Sequence, residues 1–136
     1  MRESPAVFRS LLALFLGGVA FALLAAGCGG STSYSLDETR ACLAKEKGVR
    51  LSSRADFVAD KALGGAVVVR LPSRNQVTVA FALDQEEADR LAGAYRRFRG
   101  KNIGIEDVLR PDHNAVLLWK AHPSEQDISS VNGCLE

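Results

Sequence analysis

Residues 35–136 read as an α+β domain: an antiparallel sheet of about four strands, built as two hairpins, with helices packed on one face in the order α–α–ββ–α–ββ–α. Two observations predict it. Apolar runs rich in β-branched and aliphatic residues come in pairs, each pair split by a short turn rich in Pro and Asn. Helix-period stripes precede, separate and follow those pairs. Two hairpins flanking a helix close most simply as one antiparallel sheet with helices laid over it.

The elements follow in order. Ser35-Leu-Asp-Glu38 is a capping-box pattern and predicts a helix over 36–47, stopped by Gly48, with Leu36, Cys42 and Leu43 inward. Residues 49–51 are too short a run to assign. Ser53-Arg-Ala-Asp56 opens a second helix, in which Ala55, Val58, Ala59 and Ala62 recur at i, i+3, i+4 and i+7 before Gly64-Gly65. Ala66-Val-Val-Val-Arg-Leu71 is a strand, Pro72-Ser-Arg-Asn75 a turn, and Val77, Val79, Phe81 and Leu83 alternate as a strand with one buried face.

Asp84 with Glu87 opens the longest helix, which ends near Arg99 and carries Ala88, Leu91, Ala92, Tyr95 and Phe98 as one stripe. Residues 103–109 read as a strand, Arg110-Pro-Asp-His-Asn114 as a turn, and Ala115-Val-Leu-Leu-Trp119 as a central strand, apolar on both faces. Pro123-Ser-Glu-Gln-Asp127 starts a short last helix with Ile128 and Val131 inward. The two turns, each ending in Asn shortly before a Val, are faintly alike. The helices before them do not align at one offset, and turn chemistry alone also produces such patterns.

Charge and hydropathy divide the chain at residue 28. Two of the 17 basic and one of the 16 acidic residues precede it, so the remainder carries 15 of each. That balance gives no broad attraction for nucleic acid. The first 27 residues have the layout of a secretory signal peptide: Arg2 and Arg9, an apolar run over 11–26, then Ala25-Ala26-Gly27. The apolar run is shorter than the roughly 20 residues that span a hydrocarbon core comfortably.

Leu24-Ala25-Ala26-Gly27-Cys28 resembles the lipobox of bacterial lipoproteins. That family usually has Leu three residues before the cysteine, where this chain has Ala25. The resemblance implies removal of residues 1–27, a diacylglycerol on the Cys28 thiol, and an extracytoplasmic protein held at the cell membrane. Residues 28–34, rich in Gly and Ser, would be a flexible tether, and 35–136 a single domain. Residues 29–33 alone reach on the order of 13 Å. The rival readings are ordinary cleavage near Ala26 with release, and an uncleaved anchor.

The chain has three cysteines, Cys28, Cys42 and Cys134. Lipidation of Cys28 leaves an even pair in an oxidising compartment, so a Cys42–Cys134 disulfide is expected. The alternative is a reactive thiol, which needs a base or positive field beside it. Neither cysteine belongs to a CxxC pair or adjoins a histidine.

Arg96, Arg97, Arg99 and Lys101 form the densest basic cluster, at the end of a helix that begins with Asp84, Glu86, Glu87 and Asp89. The helix dipole favours that arrangement, and contact with anionic lipid or an acidic wall polymer is the sharper reading. His113 and His122, both in loops, lack zinc-site spacing, so no metal or cofactor is expected. Glu86–Glu87 and Glu106–Asp107 are sequence neighbours that point to different faces, and no nucleophile-elbow or phosphate-loop motif occurs. No catalytic residue is assigned. The expectation is a non-enzymatic binding module of the cell envelope, with a protein or wall partner. A small extracytoplasmic hydrolase of wall material and a structural spacer are the alternatives.

Overall fold

The computed structural model describes residues 33–99 and 104–135, except the side chain of Arg99. Within them the chain is α+β: helices α1 (Leu36–Leu43), α2 (Gln85–Arg99), α3 (Ile105–Val108) and α4 (Glu125–Asn132), with strands β1 (Arg50–Ser52), β2 (Ala66–Arg70), β3 (Gln76–Phe81), β4 (Leu109–Asp112) and β5 (Ala115–Trp119). The strands form one open antiparallel sheet in the order β1-β2-β3-β5-β4. The sheet therefore has five strands rather than four. The extra one is β1, the run too short to assign, which pairs Leu51 with Val69.

Helices cover both faces of the sheet, not one. Val67, Val69, Val77, Val79, Phe81, Leu117 and Trp119 share one core with Leu43 near the end of α1 and Val131 of α4. Ala80, Ala82, Val116 and Leu118 share a second core with Ala88, Leu91, Ala92 and Tyr95 of α2. Thr78 and Ala80 of β3 gave the alternation of a half-solvated strand, yet they are 7% and 0% exposed. Small side chains do not mark a solvent face when a helix with its own Ala88 and Ala92 lies over them, because small residues let the layers approach closely.

Three further expectations are corrected. The second helix is only a 3-10 turn, Ala59–Lys61. The Asp56 carboxylate accepts the backbone N–H groups of Val58 and Ala59, and Val58 and Ala59 are buried by that single turn. A spacing of i, i+3 and i+4 is met by one turn as well as by three. The strand expected over 103–109 is the short helix α3 over most of its length, and Arg110, Pro111 and Asp112, expected in a turn, pair with β5. Proline is tolerated there because β4 lies at the sheet edge, where a missing N–H breaks no ladder. Finally, α1 stops at Leu43 rather than near residue 47: Lys45 and Glu46 donate to Cys42 and Leu43, i→i−3 bonds that tighten the last turn.

The capping box expected at Ser35 carries no side-chain bond, although Ser35 has the extended backbone of an N-cap. The capping box that forms is at α4, between Ser124 and Asp127. At α2 the Asp84 carboxylate caps the N–H of Glu87 at 2.8 Å. Gly64 donates to the Phe81 carbonyl at 2.8 Å. A Cβ at residue 64 would lie 2.5 Å from that oxygen, so only glycine fits.

Candidate functional site

The most specific polar arrangement in the described domain surrounds Tyr34, where the chain enters α1. The Asn114 side-chain amide lies against the Tyr34 backbone like a strand partner. Its Oδ1 accepts the Tyr34 N–H at 2.7 Å, and its Nδ2 donates to the Tyr34 carbonyl at 3.0 Å and to the Ala82 carbonyl at 2.9 Å. The Ala82 N–H in turn donates to the Asn114 carbonyl. The Tyr34 hydroxyl donates to Asp112 at 3.2 Å, and its ring meets the His113 ring edge-on at 5.4 Å. Burial, then the charge and hydrogen bond of Asp112, raise the Tyr34 phenol above its ordinary pKa. Residue 34, expected as the last of the tether, is thus pinned to the β4–β5 turn.

A shallow cleft opens beside Tyr34, lined by Ser33, Ser35, Asp37, Gly64 and Leu83 among others. Glu87, buried at the start of α2, holds the far rim. One carboxylate oxygen accepts the Leu63 N–H at 2.8 Å and the other the Leu83 N–H at 2.9 Å. Both leucine side chains project outward, 70% and 66% exposed. Sequence reasoning missed this rim. Leu83 had the period of a strand's buried face, and Leu63 stood outside the apolar stripe of the expected second helix, just before its Gly64-Gly65 stop. The Asn114 clasp left one trace, an Asn closing a Pro-Asp-His turn.

The sulfurs of Cys42 and Cys134 are bonded, with Cα atoms 5.4 Å apart. The bridge joins α1 to the residues just after α4, on one face of the sheet. Cys28 lies outside the described residues, as does the expected signal peptide.

The basic cluster is not a uniform patch. Arg96 makes a two-point pair with Glu106, at 2.7 and 3.2 Å. That hydrogen bond, with the charge behind it, holds the Glu106 carboxyl below the usual carboxylate range and raises Arg96 further. Arg97 is exposed, while Lys101 and the Arg99 side chain lie outside the described residues. Phe98, expected in the buried stripe, is 62% exposed and packs edge-on against Phe57 at 4.8 Å. Tyr95 does complete that stripe, fully buried, and its hydroxyl donates to Asp56.

His122 and His113 are exposed beside carboxylates, at 2.9 Å from Asp107 and 3.7 Å from Asp112. Among the described residues no group of three or more His, Cys, Asp or Glu could hold a metal ion. None of the described helices is long and apolar enough to cross a membrane. The buried carboxylates act locally: Glu87 binds two backbone N–H groups, and Asp127 binds Ser73, Asn75 and the start of α4. No protein-family model matches the chain, and comparisons with curated proteins and with solved structures find no match.

Proposed function

We propose that this chain is a lipid-anchored extracytoplasmic protein. Its leader is removed before Cys28, the Cys28 thiol carries a diacylglycerol, and the α+β domain works as a binding module of the cell envelope, facing a protein or wall polymer. The observation that carries the reading is the partition of the cysteines. Cys42 and Cys134 are joined to each other, so the thiol at the end of the apolar leader is left over. Two acyl chains give stable anchoring where one does not, at about 0.8 kcal/mol per buried methylene.

The polar groups support binding rather than catalysis. The buried carboxylates are already engaged with backbone and side-chain donors of the fold. Among the described residues, four large apolar side chains are exposed and so available for contact: Phe57, Leu63, Leu83 and Phe98.

Labelling of cells with a palmitate analogue, followed by membrane fractionation, tests the anchor. Wild type should be labelled and sediment with membranes, and Cys28→Ser should do neither. Equal labelling of the two would overturn the reading.

A further inference from the structure

We propose that Leu63 and Leu83 form the membrane-facing rim of the domain and rest in the headgroup–acyl boundary of the bilayer. The inference rests on the lipid-anchored reading above and adds an orientation to it.

The argument starts from where the free linker ends. Asn114 pins both backbone groups of Tyr34, so residues 29–33 alone separate the anchoring cysteine from the folded domain. A Gly/Ser-rich linker of that length has an r.m.s. reach on the order of 13 Å. Whatever borders Tyr34 is therefore held near the membrane surface. Leu83 lines the same cleft as Tyr34, and Leu63 is tied beside it because one carboxylate, Glu87, binds the backbone of both.

Each leucine is on a connection between elements rather than within one, and most of each is exposed. Paired aliphatic side chains on projecting loops suit the apolar edge of the interface. The charges beside the pair are few and of both signs: Asp37 in the cleft, Asp84 next to Leu83 and Lys61 two residues before Leu63. With no basic cluster at the rim, contact here is apolar and does not depend on anionic headgroups. The Phe57–Phe98 pair with Arg97 lies at the other end of α2, about 17 Å along the axis from Glu87 at 1.5 Å per residue. It is left facing away from the bilayer.

The test uses mature protein purified from membranes and reconstituted into phosphatidylcholine vesicles containing doxyl-labelled lipid. Leu63→Cys, Leu83→Cys and Arg97→Cys each receive an environment-sensitive fluorophore. All three positions are exposed, so the fold tolerates the change. Probes at 63 and 83 should be quenched by the lipid doxyl several-fold more than the probe at 97, with no dependence on salt. Equal, weak quenching at all three would overturn the proposal. So would probes at 63 and 83 that are shielded from aqueous iodide yet unquenched by lipid, because that cover would be protein. Intact mass of the same samples separates the two claims. Diacylglycerol present without quenching defeats the docking alone, and its absence defeats the anchor as well.

Discussion

Asn114 is 7% exposed and spends its whole amide on backbone, so replacing it strands three partners at once. The partly exposed Tyr34 groups can turn to water, whereas the Ala82 carbonyl stays in the interior. Asn114→Ala should therefore lower stability by roughly 2–3 kcal/mol, read from the urea midpoint. Protease cleavage near Tyr34 should rise with it. Asp127 works at the other hairpin in the same way. Burial pushes its carboxyl upward, but hydrogen bonds from Ser73, from the Ser124 backbone and hydroxyl, and from Asn75 together bring it below the ordinary carboxylate range. A depressed folded-state pKa stabilises the fold above the unfolded value, and that stability is lost as the pH falls through the folded one. Urea midpoints should thus fall for wild type from about pH 5 downward, and fall less for Asp127→Asn, whose deficit is largest at neutral pH.

At the scale of elements, Arg74 and His113, the two non-glycine residues with positive φ among the described residues, each precede an asparagine whose amide stitches its turn to a neighbouring segment. The turn at Pro72–Asn75 was legible because Pro and Asn state their backbone requirements locally, whereas the second expected turn shrinks to His113 and Asn114. The strands β2 and β5 were legible as apolar runs, and β3 and the helices α2 and α4 through hydrophobic period. What failed were segments whose conformation depends on tertiary partners: the 3-10 turn at Ala59–Lys61, the short β1, and the α3–β4 junction. The disulfide clamps α1 to the end of α4 across a sequence separation of 92 residues. Cys42→Ala with Cys134→Ala should cost roughly 2–4 kcal/mol, seen as a lower thermal midpoint. Reduction of the wild type should reproduce that shift, and the double variant should no longer respond to reductant.

At the scale of the whole described domain, a sheet covered on both faces meets other molecules through its edges, its loops and the outer faces of its helices. The edges are blunted by the brevity of β1 and by Pro111 in β4, which disfavours strand addition. Under the proposed binding role, the candidate contacts are the leucine rim beside Tyr34 and the Phe57–Phe98 pair at the far end of α2. The second core escaped the sequence reading because Ala80, Thr78 and Ala82 gave no strong apolar signal, although all three are buried and both alanines share a core with α2. Of the predicted sites, the Cys42–Cys134 pair was legible, because its chemistry depends on residue type. Asn114 and Glu87 were not legible, because their roles exist only once distant backbone is brought to them. The anchored account is tested most directly by intact mass of the protein isolated from its own membranes without reductant. It predicts a chain that starts at residue 28, carries diacylglycerol there, and lacks the two hydrogens of the Cys42 and Cys134 thiols. A product that keeps Met1, or one in which Cys28 is joined to either other sulfur, would contradict it.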